Sequence, residues 1–313
     1  MSHDSQPRRA ALAVSALLPL LGACAGGAGG AGESAAATTP AAAAPAADSM
    51  RPVAVVEGFS GPEAVRYDPD QDVYFVANFN GGGGDADDNG FISRLRPDGT
   101  VEQLRFVAGG ANGVTLHAPR GMAIAGDTLW AADVDAVRGF HRRTGAPLAT
   151  ISFTGRDVGF LNDVAVGPDG ALYVTDTGRN RLYRLHGGAI AVALADSALG
   201  SPNGITWDAA GNRFLVVPYG GATAIRAWRP GSTTLEDVGT GSGSRYDGVE
   251  VLAGGRVLVA SQTDSSLHLF DGGTGRPVIR VRGRPADIGV DTRRGRVAVP
   301  FIALNRVEIW AIP

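Results

Sequence analysis

The sequence contains no lysine and a single cysteine, Cys24, among its 313 residues. All 28 basic side chains are therefore arginine, which excludes a Schiff-base lysine and the lysine of a P-loop. One cysteine cannot form a disulfide within the chain, so stability has to come from packing and from sheet closure. The sequence also lacks a Gly-x-Ser-x-Gly motif, which argues against a serine hydrolase with a nucleophile elbow.

Strong net charge is also missing. Removing residues 1–23 takes away two arginines and one aspartate, so that 26 basic and 30 acidic residues remain, a net charge of about −4. The arginines form no basic stripe along the sequence. Nucleic acid is therefore not an expected partner.

The N-terminal residues have the pattern of an export signal. Arg8 and Arg9 precede an apolar run from Ala10 to Leu21, which is too short to span a bilayer. The run ends in Leu21-Gly22-Ala23-Cys24, which resembles a bacterial lipoprotein cleavage box. This resemblance implies that residues 1–23 are a signal peptide, that Cys24 is the lipid attachment site, and that the protein is exported and anchored to the cell envelope. An ordinary signal peptide followed by a chance cysteine is the alternative, although an unpaired thiol is unusual in an exported protein.

Residues 24–51 differ in composition from the remainder. Beyond Cys24 they consist almost entirely of Ala, Gly, Pro, Ser and Thr, a composition that cannot form a core and is typical of a flexible linker. Residues 52–313 have the length of one all-β domain.

A short pattern of turn, alternating apolar strand, glycine-rich turn and second strand occurs six times. It begins at anchor positions separated by 57, 42, 41, 44 and 39 residues, which are Glu63, Arg120, Asn162, Asn203, Asp247 and Ala286. A repeat of about forty residues with strand-like content predicts a β-propeller with one blade per repeat. We therefore expect an all-β, six-bladed propeller.

Each repeat divides into four short strands. The third is the clearest, and we expect its strands at Asp163–Gly167, Leu172–Thr177, Arg181–His186 and Ala189–Ala195. The sixth repeat has only three: Asp287–Thr292, Arg296–Ile302 and Arg306–Ile312. Val53–Gly58, which precedes the first repeat, is left to supply the missing strand. An N-terminal strand would then close the last blade and cover edges that otherwise favour aggregation.

Four of the six anchors carry a side-chain oxygen: Glu63, Asn162, Asn203 and Asp247. Equivalent positions of the blades face one another around the channel of a propeller, so these side chains would form a ring with two negative charges. Carboxylate and amide oxygens suit one hard divalent cation, Ca²⁺ first. Zinc is disfavoured because no histidine or cysteine occupies an anchor. The alternative is that these residues only begin turns, through hydrogen bonds from side chain to backbone.

The segments around these anchors resemble the senescence-marker-protein/gluconolactonase family, which includes regucalcin and, more distantly, diisopropylfluorophosphatase and paraoxonase. The matching segments are Gly61-Pro62-Glu63, Leu161-Asn162-Asp163, Pro202-Asn203-Gly204 and Tyr246-Asp247-Gly248. The resemblance implies that Glu63, Asn162, Asn203 and Asp247 bind a catalytic Ca²⁺ or other divalent ion. It also implies a hydrolase of the lactonase or esterase type that acts on a small molecule.

One position departs from the family pattern. Sugar-lactone enzymes of this family carry an arginine two residues before the first asparagine, where this chain has Phe160. The apolar side chain favours a less polar substrate. Arg120 is a candidate replacement cation in the channel, and pairing of Arg120 with Asp133 is the alternative. His117 is a further candidate for substrate contact, or else a loop residue that forms hydrogen bonds.

Three carboxylates are candidates for the catalytic group. Asp247 comes first because the matching family residue has been assigned such a role, as general base or as nucleophile. Glu250 lies between two valines, so strand alternation turns it away from their face, either into the channel or into solvent. Asp163 follows directly after an anchor.

The first repeat contains an insertion from Asn80 to Gly90. Its segment Asp85–Gly90 matches the opening of an EF-hand calcium loop, with oxygens at positions one, three and five and glycine at six. Arg96 stands where the acid of position twelve belongs. We interpret the insertion as a solvated loop at the channel mouth, with a second calcium site as the alternative.

Two other functions compete with the hydrolase. The segment Asp176–Leu182 resembles the signature of NHL repeats, so the propeller could be a surface-tethered scaffold in which the ion is structural only. A tethered binder of polysaccharide or peptide is the third hypothesis. The expected partners of the hydrolase are a lactone or ester and the membrane, the latter through the acylated N-terminus, and we expect a monomer.

Overall fold

The computed structural model describes residues 50–313. The predicted signal peptide, Cys24 and almost all of the predicted linker lie outside these residues. Within them, the regular structure consists of strands and short 3₁₀ turns at Ser197–Leu199, Ala253–Gly255 and Ile302–Leu304. Residues 50–313 contain no helix with the length and hydropathy needed to cross a membrane.

The strands follow one another in groups of four along the chain. Before the first group comes β1 (Ala54–Glu57). Blade one contains β2 (Pro62–Asp68), β3 (Val73–Asn78), β4 (Phe91–Leu95) and β5 (Val101–Ala108). Blade two contains β6 (Met122–Ala125), β7 (Thr128–Ala132), β8 (Ala136–His141) and β9 (Pro147–Ser152). Blade three contains β10 (Leu161–Val166), β11 (Leu172–Asp176), β12 (Arg181–His186) and β13 (Ala189–Ala195). Blade four contains β14 (Pro202–Asp208), β15 (Arg213–Pro218), β16 (Ala224–Trp228) and β17 (Glu236–Gly241). Blade five contains β18 (Tyr246–Val251), β19 (Val257–Ser261), β20 (Ser266–Asp271) and β21 (Thr274–Arg280). Blade six contains β22 (Gly289–Asp291), β23 (Arg296–Phe301) and β24 (Arg306–Ala311).

Each blade is an antiparallel meander. A two-residue parallel pairing, Thr240 with Thr274 and Gly241 with Gly275, additionally joins the outer edges of blades four and five. The first strands of the blades contact one another in chain order, and β22 returns to contact β2. The ring is therefore closed, and the predicted all-β propeller is confirmed.

The N-terminal strand completes the last blade. β1 pairs antiparallel with β24, from Ala54 opposite Ile309 to Glu57 opposite Arg306. This is the closure expected from Val53–Gly58, and it joins the beginning of the domain to its end. The first strand of blade six is shorter than predicted because Asp287 and Ile288 lie outside it, although Asp287 still donates its backbone N–H to the carbonyl of Glu63.

The core lies between the sheets. Each of six apolar clusters contains buried residues of two adjacent blades. The cluster of Val65, Tyr74, Ala298 and Ile309 joins blade one to blade six. Because every blade buries both of its faces, the strands can be nearly continuous in apolar residues, as in Val73–Asn78, all of which are buried.

Candidate metal centre

The four oxygen-bearing anchors occupy the same position in four blades. Glu63, Asn162, Asn203 and Asp247 are each the second residue of the blade's first strand. In each case the pairing register with the next strand shifts at this point. Such bulges redirect side chains and are frequent beside functional sites. The four residues therefore occupy equivalent positions in their blades, in the register expected from the sequence.

The ring is buried and incompletely hydrogen-bonded. Its four side chains are between 3% and 5% exposed. Glu63 Oε2 and Asp247 Oδ1 are buried without a hydrogen-bond partner among residues 50–313. A buried carboxylate oxygen without a partner is unfavourable by several kcal/mol (order of magnitude). The donor set, two carboxylates and two amides, fits a hard divalent cation that would satisfy both oxygens.

Hydrogen bonds from neighbouring strands fix the orientation of the ring. The side-chain amide of Asn162 donates to Thr177 Oγ1 at 3.0 Å, and Thr177 donates in turn to the carbonyl of Pro202 at 2.7 Å. Gln262 Nε2 donates to Asp247 Oδ2 at 2.6 Å. Tyr219 donates to Gln262 Oε1 at 3.1 Å.

Sequence reasoning missed these supporting residues. Thr177 and Tyr219 directly follow the second strand of their blades, and Gln262 directly follows the second strand of blade five. Asp133 has the same place after β7, and so does Phe79 after β3. The position after the second strand therefore lines the candidate site in blade after blade. Aligning the residues that follow the second strand of each repeat, as was done for the anchors, would have identified these supporting residues.

The ring resists accumulation of negative charge. Burial raises the pKa of Glu63 well above its ordinary value; the nearby Asp247 raises it further, and Arg120 opposes this effect. Burial also raises the pKa of Asp247 to about 7, against the hydrogen bonds from Gln262 and Asn203. Both shifts have the sign expected for carboxylates that are buried close to another negative charge.

Arg66 occupies the channel beyond the ring. Its Nε donates to the carbonyl of Met122 at 2.7 Å, its Nη1 forms an ion pair with Glu250, and its Nη2 lies 3.8 Å from Asp287 Oδ2. One guanidinium from blade one thereby contacts blades two, five and six. Burial lowers the pKa of Arg66, but the charges of Glu250 and Asp287 outweigh this effect and hold it above its ordinary value. Glu250 thus lies on the channel side, where it is engaged by Arg66.

Asp163 connects two blades instead of facing an open space. Its Oδ2 accepts the backbone N–H of Ile205 at 2.8 Å, and its Oδ1 accepts that of Val164 at 2.7 Å. Burial raises the pKa of Asp163 to about 6, against the charge of Arg66 and these backbone hydrogen bonds. Of the three catalytic candidates among residues 50–313, Asp247 is the one with a fully buried carboxylate oxygen that has no hydrogen-bond partner.

Arg120 lies inside the protein beside the ring. It is 1% exposed, donates to the carbonyl of Leu161 at 2.8 Å and to the carbonyl of Gly83, and its guanidinium carbon lies 3.8 Å from the ring centroid of Phe160. Burial lowers the pKa of Arg120 to about 10, while Glu63 and Asp133 act in the opposite direction. Asp133 forms its ion pair with Arg138, at 2.5 Å. Arg120, the candidate replacement cation, therefore lies over the aromatic ring of Phe160, and Asp133 is paired with Arg138 instead.

The insertion of blade one is held against blade two. His117 Nδ1 accepts the backbone N–H of Asp88 at 3.0 Å, and Asp88 Oδ1 accepts that of Leu116 at 2.7 Å. Two of the three side chains predicted as calcium ligands have partners inside the insertion: Asp85 Oδ2 accepts from Gly82, and Asp87 Oδ2 accepts from Asn89. The third, Asn89, has its Oδ1 buried without a hydrogen-bond partner among residues 50–313. Because Arg120 donates to Gly83, the insertion also lies close to the ring.

A second group of potential ligands lies nearby but does not fit a metal ion. Ligand atoms of His117, Asp133 and Asp135 lie within 4.8 Å of one another. Arg138 already forms ion pairs with both aspartates, at 2.5 and 2.7 Å. The guanidinium supplies the positive charge that a metal ion would otherwise bring.

Glycine follows the anchor where adjacent first strands approach most closely. A Cβ at Gly204 would lie 2.3 Å from the carbonyl oxygen of Asp247, and one at Gly121 would lie 2.0 Å from Asp163 Oδ1.

We predict that Gly204→Ala lowers the free energy of unfolding by about 1–3 kcal/mol through overpacking and weakens cation binding by displacing Asp247. Gly84→Ala, where no atom lies within 4 Å of the added Cβ, is the control, with an expected change below about 0.5 kcal/mol. Denaturant unfolding measures both, and equal values for the two variants would contradict the close approach.

The pKa shifts predict how the stability of the metal-free protein depends on pH. Asp247, Glu63 and Asp163 have higher pKa values in the folded chain than their ordinary values near 4, so the folded state binds more protons across this range. The free energy of unfolding therefore falls as the pH rises, by on the order of 4 kcal/mol from Asp247 alone between about pH 4 and about pH 8. Binding of calcium should restore the free energy of unfolding that the metal-free protein loses at high pH. Denaturant unfolding in a chelating buffer tests this, and stability that rises over the same range would contradict it.

Comparison with solved structures finds the same fold in proteins of low sequence identity. A gluconolactonase from Xanthomonas campestris superposes with a TM-score of 0.65 at 19% identity, covering 84% of this chain and 89% of that one. Regucalcin from Agrobacterium tumefaciens, described as a calcium-binding protein, gives 0.60 at 17% identity, with 84% and 94% covered. Virginiamycin B lyase from Staphylococcus aureus gives 0.59 at 13% identity, with 83% and 99% covered. No family model and no curated protein sequence matches the chain. At these identities the likeness establishes the propeller fold.

Proposed function

We propose that this protein is a Ca²⁺-dependent hydrolase of the lactonase or esterase type that acts on a small molecule in the propeller channel. The observation that carries the proposal is the pair of buried carboxylate oxygens, Glu63 Oε2 and Asp247 Oδ1, that lack partners in a ring with two amides. The fold shared with a gluconolactonase and with a calcium-binding regucalcin supports it.

Each side chain of the ring has a proposed role. Glu63, Asn162, Asn203 and Asp247 would hold the cation, which when bound supplies Lewis-acid polarisation of a carbonyl oxygen. Asp247 is the proposed general base or nucleophile, because Gln262 holds one of its oxygens and the other has no partner among residues 50–313. Glu250 and Asp163 have structural roles in this proposal, since Arg66 and two backbone amides engage their oxygens.

The surroundings of the ring indicate the kind of substrate. Phe160 presents an aromatic ring where sugar-lactone enzymes have an arginine, and the guanidinium of Arg120 is covered by that ring and by the insertion. An apolar wall beside a buried cation favours a lactone or ester with an apolar group over a polyhydroxylated sugar lactone. We further propose that the protein acts as a monomer at the cell envelope, anchored through Cys24.

Calorimetric titration of metal-stripped protein with calcium tests the proposal, followed by assays of lactones, aryl esters and phosphotriesters with and without calcium. We expect one ion per chain and calcium-dependent hydrolysis of at least one of these classes. Calcium binding without hydrolysis would favour the scaffold with a structural ion. No binding at all would contradict the metal centre and favour an NHL-like binding protein.

A further inference from the structure

A cavity of about 510 Å³ on the outer side of the propeller is lined by arginine. It lies between β1, β24 and the end of β21, at the junction of blades five and six. Four arginines line it, together with one acidic residue, Glu308, and the indole of Trp310; the arginines are Arg51, Arg280, Arg282 and Arg306. The cavity belongs to a different part of the molecule from the channel site.

The charge of this cavity is not balanced by its own lining. Glu308 Oε1 forms an ion pair with Arg306 at 2.6 Å, and Glu308 Oε2 accepts the indole N–H of Trp310 at 3.1 Å. Both oxygens of the acidic residue are therefore engaged. Arg51 and Arg282 are exposed and form no ion pair with any residue between 50 and 313. Among residues 50–313, two arginines of the lining, Arg51 and Arg282, thus stand without an acidic partner on a protein whose net charge is negative.

Apolar side chains surround the arginines. Val53 is 50% exposed, Val55 is 49% exposed and Leu304 is 43% exposed. Leu304 lies close to Gly283, which follows Arg282 in the sequence, since its Cδ1 is 2.8 Å from the position of a Cβ on Gly283. Cationic side chains flanked by exposed aliphatic ones match the interface of a bilayer, where phosphates and acyl chains meet.

The chain enters the propeller at this same surface. Met50, the first residue that the structure describes, lines the cavity, and Cys24 precedes it by 26 positions in the sequence. A lipid attached to Cys24 would therefore hold the domain near a membrane through a tether that joins it at this surface. We propose that the basic surface formed by Arg51, Arg280, Arg282 and Arg306 with its aliphatic rim docks on anionic phospholipid headgroups. The anchor supplies proximity and the arginines supply the orientation, and the docking is independent of the proposed hydrolase activity.

Vesicle binding by the processed chain, residues 24–313 with Cys24→Ala, tests the docking without an acyl chain. The probes are vesicles of equal parts phosphatidylglycerol and phosphatidylethanolamine, and vesicles of phosphatidylcholine alone. We expect binding to the anionic vesicles, weakened by salt, and little binding to phosphatidylcholine. Arg51→Gln with Arg282→Gln should lower the partition coefficient about 30-fold, because each arginine near an anionic surface contributes a factor of about five.

The matched control removes the same charge elsewhere. Arg143 and Arg156 are exposed, and neither forms an ion pair with a residue between 50 and 313, so Arg143→Gln with Arg156→Gln should leave the partition coefficient within about threefold. Equal losses in the two double variants would overturn the docking surface, as would equal binding to both kinds of vesicle. Inorganic phosphate is the third probe: saturable phosphate binding that needs Arg51 and Arg282, without vesicle binding, would assign the cavity to a soluble phosphate compound and overturn the membrane proposal.

Discussion

Asp247→Asn is expected to lower the calcium affinity at least about 100-fold while the propeller stays folded. The substitution keeps the shape of the side chain but removes one of the two negative charges of the ring, and calcium affinity depends strongly on the number of charged ligands. It also removes the unfavourable burial of a carboxylate, so the metal-free variant should be at least as stable as the parent near neutral pH. Affinity and stability are thus expected to change independently.

Calorimetric titration with calcium and denaturant unfolding of the metal-free proteins are the two measurements. Asp271→Asn makes the same charge change on the solvent side of the same blade and should leave the calcium affinity unchanged. If the proposed function is correct, the ester or lactone activity disappears in Asp247→Asn even at calcium concentrations that refill the site. Unchanged calcium affinity in Asp247→Asn would place the ion elsewhere and contradict the metal centre.

Arg66→Met is expected to lower the free energy of unfolding by about 3–5 kcal/mol. The guanidinium is the positive group that lies against Glu250 and Asp287 inside the channel, and removing one partner of a buried ion pair leaves the other charge uncompensated. The aliphatic chain of methionine keeps most of the volume, so the loss should arise from charge and hydrogen bonding instead of from a cavity.

A double-mutant cycle separates these contributions. Glu250→Gln combined with Arg66→Met should recover a part of the lost stability, since the uncompensated carboxylate is then absent. Arg94→Met is the matched control in the same blade, because Arg94 pairs with the partly exposed Glu102, and it should cost less than about 1 kcal/mol. Denaturant unfolding measures all of them. A loss for Arg66→Met no larger than that for Arg94→Met would show that the channel guanidinium is not holding buried charge.

The location of the basic surface matters for how the proposed enzyme would work. If blades five and six dock on the membrane through their outer edge, the propeller axis lies along the membrane plane, and the channel mouth faces the aqueous phase. A small lactone or ester could then reach the ring directly from solution. The calcium and vesicle experiments address separate parts of the molecule, so one can fail without affecting the other.

Much of the fold could be read from the residues because the propeller is a repeat. The spacing of the anchors gave the blades, and the three-strand content of the last repeat pointed to Val53–Gly58 as the closing strand, which pairs with β24 as expected. The strands of blade three are reproduced to within two residues at each end. Local alternation and turns suffice for this, since each blade is built from neighbours in sequence.

The candidate site could be predicted only in part. Side chains that share one register, such as Glu63 and Asp247, can be found because every repeat places its anchor at the same point of the channel. The contacts of Arg66 could not be predicted, because no local sequence pattern indicates that its partners belong to blades five and six. Alternation left Glu250 with two opposite orientations, and contact with Arg66 decides between them.

By itself the sequence determined the repeat, the number of strands in each blade, the closing strand and the ring of four oxygen-bearing side chains, because all of these depend on periodic local patterns. Only the tertiary structure decided which carboxylates remain without a partner, that Arg120 stacks on Phe160, and that four arginines from distant segments form one surface. Those properties depend on contacts between blades. Residues as far apart as Arg51 and Arg282 become neighbours only when the ring closes.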